Sequence, residues 1–384
     1  MRRILLANFH NLGYGQPVAV FLLARALHQR GHQVVVACPK GSALAEWCQT
    51  AEMTHFTNAR FLKHRHFLSM RRDVRCLHTH LTQHPPDIIH TNGSQDTWAL
   101  ALARRKLRTP MPIVMSRHNS KVVHTGWSNR WLYGKALDRV VLTSAAIREQ
   151  YQPMLSRGIL DDARFTVIHP PFDLSVFERT YDRSALHREL NLPPETPIIG
   201  IVGRLNPDKG HAILIRALPL ILAKHPRLHI VFVGDGGHRE SLQTLVDATG
   251  ASKQLHFLGF RLDVAEITAC LTASVLPTIG TDSSPTVLKE ALCLGVPVVA
   301  ADTGGVREVI DDGETGFVVA RHDHEGLGRA ILRILDYPED SRGMAAEGSR
   351  RVRSRFSPDA CAARHEVFYE EVIAVAHANG RVKS

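Results

Sequence analysis

The 384-residue chain has few cysteines and lacks long apolar runs, low-complexity tracts and repeats. Its six cysteines stand far apart without a C-x-x-C pair, which argues against a disulfide framework or a zinc site and favours reduced thiols in a cytoplasm. No apolar stretch approaches the roughly 20 residues needed to cross a bilayer, so a transmembrane helix is not expected. The first residues, MRRILLANFH, are more typical of a strand than of a signal peptide. These absences leave a soluble globular protein long enough for two domains.

Acidic residues are scarce in the first part of the chain. Residues 1–135 hold 19 Lys and Arg against 5 Asp and Glu, a net charge of +14, whereas the whole chain carries +10. The densest basic segment, RFLKHRHFLSMRRDVR from Arg60 to Arg75, mixes six cations with bulky apolar residues, a pattern suited to an anionic membrane surface. An ordinary solvated helix with its apolar face toward the core explains the pattern equally well. Nucleic acid is a weaker alternative, because no recognisable nucleic-acid motif accompanies the charge.

Short apolar runs alternate with helix-length segments along the whole chain. Runs such as RILLAN, QVVVACP and DIIHTN precede a segment rich in charge and proline, from about 174 to 197, after which the alternation restarts at IIGIVGRL. This pattern predicts α/β architecture, with two doubly wound domains built on parallel sheets. Ligands of such sheets bind beyond the carboxyl ends of the strands, so polar residues at those ends are the candidates for a site.

Residues 281–300, which end in SPTVLKEALCLGVPVVA, predict a helix followed by a buried strand. With Ser284 as the N-cap and the following proline in the first helical position, the amides of Thr286 and Val287 are free at the positive end of the helix dipole. Such a helix end binds phosphate. Glu290 lies one turn further on the same face, where a carboxylate can accept hydrogen bonds from the vicinal hydroxyls of a ribose. A capped core helix with an incidental glutamate is the alternative.

A second candidate element is GIVGRLNPDKG, in which a buried strand ends at Gly203. Arg204 and Lys209 emerge from the turn that follows. Two cations at a strand end can neutralise a diphosphate, and arginine can do so with two parallel hydrogen bonds. Solvated surface cations are the alternative, but a glycine that allows close approach of a ligand favours the binding site.

The loop NLGYGQP (11–17) follows the first predicted strand and leads into a helix. It contains Gly-x-Gly, but Val18 stands where a dinucleotide-binding fingerprint has its third glycine, and no acid ends the next strand. The sequence therefore disfavours a dinucleotide site. It still allows the alternative that this loop approaches a ligand bound by the other domain.

Histidines give weaker signals. His118 ends the strand PIVM at the ligand-binding edge of the first domain, although an isolated histidine is more often structural than catalytic. The spacing HTHLTQH suggests a metal site at His78, His80 and His84, but no carboxylate or cysteine completes it, and 23 histidines make chance clusters common. A metal site is therefore not expected.

In order and spacing, these segments resemble the enzymes of glycosyltransferase family 4. The C-terminal half carries, in the order of the family's blocks, GIVGRLNPDKG, FVGDGGHRESL, LHFLGFRLDV, VLPTIGT and SPTVLKEALCLGVPVVAADTGGVREVIDDGETGFVV. The N-terminal half matches more loosely, through GYGQPVAVFLLARALHQRGHQV, PDIIHTN, VMSRHN and TVIHPPFDLSVF. The resemblance covers nearly the whole chain.

The resemblance implies the GT-B fold, with two Rossmann-like domains that face each other across a cleft. Residues 1–175 would form the acceptor-binding domain and residues 198–355 the nucleotide-sugar-binding domain. Residues 176–197 would be the linker and hinge that lets the cleft close. A helix within 356–384 would pack back toward the N-terminal domain.

The resemblance also implies roles for individual residues. Arg204 and Lys209 would hold the donor diphosphate, Glu290 the ribose, and His118 would face the donor sugar. Asp282 stands where the family has the first Glu of its E-x7-E motif, one methylene shorter. The implied donor-binding set is Gly15, Gly203, Arg204, Lys209, Phe260, Arg261, Asp282, Ser284, Thr286, Val287 and Glu290. The implied acceptor-binding set is Gly13, Gln16 and Asn92, and the implied catalytic set is His118, Asp282, Arg204 and Lys209.

The implied reaction moves a sugar, with retention of configuration, from a UDP- or GDP-sugar to a glycan or lipid-linked acceptor without a metal or other cofactor. Synthesis of lipopolysaccharide or another cell-surface polysaccharide fits this, at the cytoplasmic face of the inner membrane. The basic domain would contact anionic lipid, and nucleic acid is not an expected partner. A sugar-nucleotide epimerase of the same fold, and a non-enzymatic module that binds anionic glycans or nucleic acid, are the alternatives.

Overall fold

The computed structural model describes residues 1–13, 15–62, 67–105, 107, 111–119, 121–280 and 282–378. The chain divides into two compact units. The first unit comprises Met1–Asp173 and Phe356–Ser384, and the second comprises Leu174–Arg355. The segment 176–197, which we predicted to be a linker, groups with the second unit and includes a short helix.

The first unit is built on a parallel sheet of seven strands in the order β3-β2-β1-β4-β5-β6-β7. The strands are β1 Arg3–Ala7, β2 Gln33–Ala37, β3 His55–Phe56, β4 Ile88–Thr91, β5 Ile113–Arg117, β6 Arg139–Leu142 and β7 Phe165–Val167. Six of them coincide with the predicted apolar runs, and only the two-residue edge strand β3 gave no sequence signal. The strand order reverses between β1 and β4, and in such sheets the ligand crevice opens at that point.

Helices α1 to α6 belong to the first unit. They are α1 Gln16–Gln29, α2 Ala43–Thr50, α3 Phe67–Gln83, α4 Ser94–Arg104, α5 Trp127–Trp131 and α6 Gln152–Leu155. Helix α1 begins with Pro17 in its first turn, where the missing N–H has no helical partner to lose. It buries Val20, Leu23 and Leu27, whose spacing places them on one face.

The second unit has a parallel sheet of six strands in the order β10-β9-β8-β11-β12-β13. The strands are β8 Ile198–Val202, β9 His229–Val233, β10 Leu255–Gly259, β11 Ala273–Leu276, β12 Val298–Ala301 and β13 Phe317–Val319. The helices are α7 Ala185–Glu189, α8 His211–Lys224, α9 Arg239–Thr249, α10 Val264–Ala269, α11 Thr286–Cys293, α12 His324–Asp336 and α13 Pro338–Phe356. The order reverses between β8 and β11, so this unit has its own switch point.

The last helix, α14 Pro358–Ala378, packs on the first unit. Phe368 and Val372 are buried in the same apolar cluster as Val20 and Leu23 of α1. Charges add to this contact, because the Arg30 guanidinium lies 2.8 Å from the Glu366 carboxylate. The strand-and-helix order of both units confirms the predicted doubly wound fold.

Helix α3 carries part of the basic segment 60–75. Val74 is buried on it, whereas Arg72 and Arg75 are exposed. Leu68 is 81% exposed, so not every apolar residue of the segment faces the core. Residues 63–66 lie outside the described part of the chain. Within the described residues, no helix is both long and apolar enough to cross a membrane.

Candidate active site

Most of the predicted donor residues of the second unit lie in the segments that follow β8 and β11, which meet at its switch point. Gly210 makes this meeting possible. Its φ is +74°, and a Cβ atom built there would lie 1.8 Å from the carbonyl oxygen of Pro277, so only glycine fits. The amide of Ile279 donates to the carbonyl of Asp208 at 2.8 Å, which joins the two loops again.

These loops bring Lys209 and Asp282 together. The Nζ atom of Lys209 lies 3.4 Å from Oδ2 of Asp282, and the two side chains are 22% and 27% exposed. The backbone of Asp282 is held from the other side, since its carbonyl accepts from the amide of Gly305 at 2.8 Å. A Cβ atom at Gly304 would lie 2.1 Å from that same carbonyl oxygen. Arg204 projects from the loop after β8 and is exposed.

Helix α11 starts one residue later than predicted. Pro285 is its N-cap, with φ −65° and ψ 105°, and Thr286 is the first helical residue. Because the backbone of Pro285 is extended, it cannot serve as the first helical residue. Ser284 is therefore not the N-cap, and its Oγ instead accepts a hydrogen bond of 2.7 Å from Nζ of the buried Lys289. The free amides at the helix start are those of Thr286, Val287 and the residue that follows.

Glu290 lies one turn into helix α11, on the face of Thr286. Its side chain is half-buried and makes no hydrogen bond with another described residue. Burial raises the pKa of this carboxyl group, while the charge of the neighbouring Lys289 lowers it. A partly desolvated carboxylate without a protein donor is stabilised when a ligand supplies hydroxyl donors.

Phe260 and Arg261 follow the edge strand β10, two strands away from β8. Phe260 is 75% exposed. The Arg261 guanidinium is already engaged, with its nitrogens 2.6 Å from the carboxylates of Glu189 and Asp263. These carboxylates raise the pKa of Arg261, so the backbone of this turn, rather than its guanidinium, is available to a ligand. The turn stands apart from the Lys209–Asp282 pair.

In the first unit, Gln16, Asn92 and His118 meet at the switch point between β1 and β4. The Nδ2 atom of Asn92 donates to the carbonyl of Ala7 at 3.1 Å, which leaves Oδ1 facing Nε2 of His118 at 3.1 Å. The side-chain amide of Gln16 donates to the backbone carbonyl of Asn92. Gly15 caps helix α1 with φ +67°, whereas Gly13 lies in the exposed loop before it.

His118 is held as a neutral imidazole. Its pKa is lowered to about 4, chiefly by burial and in smaller part by its neighbours His10, His365 and Arg117. Because the Asn92 oxygen can only accept, Nε2 of His118 carries the proton and Nδ1 keeps a lone pair. At neutral pH this ring can therefore donate through one nitrogen and accept through the other.

Sequence reasoning missed Asp96, which fixes the loop that carries Asn92. Its buried Oδ2 accepts from the amides of Asn92 and Gly93 at 2.8 and 3.1 Å. Burial raises the pKa of Asp96 to about 7, against the opposing effect of these backbone hydrogen bonds. The signal was present as the sequence GSQD, an acid at the third helical position directly after a strand.

The three histidines of helix α3 do not form a metal site. The Nδ1 atom of His78 lies 3.3 Å from the carbonyl of Ala103, and the ring of His80 packs against Phe56 with 4.4 Å between centroids. Within the described ranges, no group of three or more His, Cys, Asp or Glu side chains is arranged to hold a metal ion.

Each doubly wound unit thus places polar and charged groups at its own switch point, which is the arrangement of a nucleotide-binding α/β enzyme. Residues 182–351 match the family model of glycosyl transferases group 1, and residues 14–176 match that of glycosyltransferase family 4. The chain belongs to glycosyltransferase family 4, and it is an enzyme with the GT-B fold.

Related proteins agree with this assignment. The chain is 27% identical over 317 residues to a D-inositol 3-phosphate glycosyltransferase of Corynebacterium glutamicum. The aligned region covers 77% of this chain and 74% of the relative. It is 32% identical over 185 residues to a GDP-mannose-dependent monoacylated alpha-(1-6)-phosphatidylinositol monomannoside mannosyltransferase of the same species, over 46% of this chain and 48% of that one. The chain therefore spans less than half the length of the second relative. The structure of Anabaena HepE in complex with UDP has a TM-score of 0.77 at 21% identity, over 96% of this chain and 100% of that one.

Proposed function

We propose that this glycosyltransferase transfers a sugar, with retention of configuration, from a UDP- or GDP-sugar to a glycan or lipid-linked acceptor. Synthesis of lipopolysaccharide or another cell-surface polysaccharide is the process that fits this reaction. The observation that carries the proposal is the contact between Lys209 and Asp282 at the second switch point. Arg204 belongs to the same loop as Lys209, and helix α11 with Glu290 follows Asp282 along the chain.

The donor diphosphate is the group that these residues suit. Negative charge develops on it as the bond to the sugar breaks, and Arg204, Lys209 and the free amides of Thr286 and Val287 would stabilise that charge. Glu290 would accept from the ribose hydroxyls, which would supply the donors that its half-buried carboxylate lacks in the protein. The name of the mannosyltransferase relative mentions GDP-mannose, and the HepE structure contains UDP. The proposal therefore includes both guanine and uracil nucleotides as donors.

Asp282 contributes the carboxylate that would contact the donor sugar. It lies 3.4 Å from the ammonium of Lys209, which partly neutralises it. Glycoside hydrolases use two opposed carboxylates, one as acid and one as base or nucleophile, whereas the carboxylate of Asp282 is paired here with a cation. We therefore assign Asp282 to sugar recognition and the cations to departure of the diphosphate.

The first unit would bind the acceptor. Gly13, Gln16 and Asn92 belong to the loops at its switch point, and His118 would hydrogen bond a sugar hydroxyl without acting as a nucleophile. Its neutral ring is suited to this, because Nε2 faces Asn92 and Nδ1 keeps a lone pair at pH 7 that can accept from a hydroxyl.

Contact with an anionic membrane is the second part of the proposal. On helix α3, the exposed Arg72 lies one turn after Leu68, which is 81% exposed, and Leu62 before the helix is 41% exposed. Cations next to exposed apolar side chains suit an interface rich in anionic lipid. None of the six cysteines forms a disulfide, which is consistent with a reducing compartment such as the cytoplasm. A location at the cytoplasmic face of the inner membrane would bring the exposed arginines to anionic lipid.

Titration calorimetry with UDP, GDP and their sugars tests the donor site directly. We expect one nucleotide to bind the wild type, and binding to weaken in the Arg204→Ala and Lys209→Ala variants. Arg216→Ala is the matched control, because Arg216 is exposed on helix α8 away from the loop. Absence of binding by every nucleotide and sugar nucleotide would contradict the donor site.

A product assay tests the reaction. We expect nucleoside diphosphate to be released faster when an acceptor glycan is present, and the anomeric configuration of the product, determined by NMR, to match the donor. Inversion would contradict the retaining reaction. Conversion of the donor sugar to its epimer without an acceptor would favour the epimerase instead.

A further inference from the structure

Helix α11 carries a lysine whose side chain is almost entirely buried. Lys289 is 1% exposed, and it is among the largest fully buried side chains of the described residues. It lies one turn into the helix, directly before Glu290. Taking an ammonium group out of water is costly, so a buried lysine requires compensating interactions.

The ammonium group of Lys289 reaches back to the start of its own helix. Its Nζ atom donates to Oγ of Ser284 at 2.7 Å. Ser284 precedes the N-cap of the helix, Pro285. The charge therefore stands at the end of the helix where the free amides lie. The hydroxyl group satisfies one donor of the ammonium but carries no negative charge.

This position is electrostatically unfavourable in the free protein. The start of a helix is the positive end of its dipole, where cations are disfavoured and anions are stabilised. Glu290 is the acid beside Lys289, and the two groups interact electrostatically, but in the proposed donor site Glu290 faces the ribose and not the diphosphate. An anion bound at the helix start would compensate both the buried charge and the unfavourable dipole interaction.

The balance of charges at the donor site points to the same anion. Arg204 and Lys209 supply cations there. The carboxylate of Asp282 lies 3.4 Å from Nζ of Lys209, so it offsets one of these two positive charges. A diphosphate carries negative charge on each phosphate group, and the single remaining cation balances it incompletely. Lys289 supplies a further positive charge at the helix start that the diphosphate would occupy.

We propose that Lys289 is a buried third cation of the donor site, which Ser284 holds at the start of helix α11 and which stabilises the diphosphate of the nucleotide sugar. The inference rests on the proposed function, which places the diphosphate at this helix start. A charge inside the protein is screened less than one in water, so Lys289 acts on the diphosphate without being exposed. The cost of its burial is then offset when the donor binds.

Two uncharged substitutions test the role of the charge. Lys289→Met keeps the length of the side chain, and Lys289→Gln retains a hydrogen-bond donor, so either variant serves if the other fails to fold. Lys253→Met is the matched control, because this exposed lysine precedes β10 and lies at the amino-terminal edge of the sheet, opposite the donor site. The probe is inorganic pyrophosphate, which presents the diphosphate without a ribose for Glu290 to bind.

Titration calorimetry measures the binding of pyrophosphate, UDP and GDP. We expect both substitutions of Lys289 to weaken pyrophosphate binding about tenfold, and Lys253→Met to leave it unchanged. The nucleoside diphosphate that binds the wild type should lose affinity by a similar factor, because the missing charge acts on the diphosphate. Wild-type affinity in either variant of Lys289 would overturn the proposal.

Two measurements on the free protein separate this role from a merely structural one. In urea unfolding, Lys289→Met should be at least as stable as the wild type, because an apolar chain of similar volume replaces a buried charge. Hydrogen exchange of the peptide that covers residues 282–288 should be unchanged, because the charge is lost and not the order of the loop. A loss of stability, or faster exchange in this peptide, would show that Lys289 serves the fold and would overturn the proposal.

The same titrations distinguish failure of this inference from failure of the proposed function. A wild type that binds a nucleotide, with equal affinity in the variants of Lys289, overturns the third cation and leaves the donor site standing. A wild type that binds pyrophosphate but no nucleotide or sugar nucleotide overturns the proposed function, and the pyrophosphate comparison then decides on Lys289 by itself. Absence of binding by all of these compounds overturns both.

Discussion

Replacing Glu290 should change binding and stability in opposite directions. In the proposed donor site its carboxylate accepts from ribose hydroxyls, a charge-assisted hydrogen bond that contributes about 1.5–3 kcal/mol. Glu290→Ala should therefore weaken the binding of the correct nucleotide by roughly 10-fold to 150-fold. Without ligand, the half-buried carboxylate has no donor among the described side chains, so its removal relieves a desolvation cost.

The stability effect has a defined pH dependence. Burial raises the pKa of Glu290 in the folded state, so the folded protein binds the proton more tightly than the unfolded chain does. Stability from this group is therefore lost as the pH rises from the usual pKa of a glutamate through the raised one. We expect Glu290→Gln to unfold at a higher temperature than the wild type at pH 7.5, with the difference shrinking toward pH 4.

Calorimetric titration measures the binding effect, and thermal unfolding of the free protein measures the stability effect. Glu371→Gln is the control for both, because this exposed glutamate of helix α14 lies in the other unit. Unchanged nucleotide affinity in Glu290→Ala would refute the ribose contact. A lower unfolding temperature for Glu290→Gln at pH 7.5 would refute the desolvation argument.

Three further changes test other parts of the structure. Lys209→Ala should lower kcat at least tenfold by removing charge from the diphosphate site, with Arg216→Ala unaffected; equal kcat values would contradict the role of Lys209. Gly210→Ala should destabilise the protein by at least about 2 kcal/mol in urea unfolding, because a Cβ atom meets the Pro277 carbonyl in a left-handed backbone; Gly237→Ala, with open space around it, should change little. Replacing three arginines of helix α3 by glutamine, namely Arg71, Arg72 and Arg75, should lower co-sedimentation with anionic vesicles. Unchanged co-sedimentation would contradict the membrane contact.

Much of the fold could be predicted from the sequence because strands buried on both faces are almost continuously apolar. The runs RILLA and IIGIV became β1 and β8. The two residues of β3 offered too short a pattern, and they pair only because β2 lies beside them. Local pattern also misplaced the start of helix α11, because nothing in residues 282–286 reveals that a buried lysine recruits the hydroxyl of Ser284.

The sequence by itself determined the alternation of strands and helices, the glycines of the tight loops and the residues that follow each strand. Only the tertiary structure decided which of those strand ends are neighbours, because the order of parallel strands depends on how the whole sheet packs. It paired Lys209 with Asp282 and joined His90 to Tyr369, which stand 279 residues apart along the chain. Hydrogen bonds over such separations leave no local pattern, since they depend on side chains that meet only after both elements have packed on the sheet.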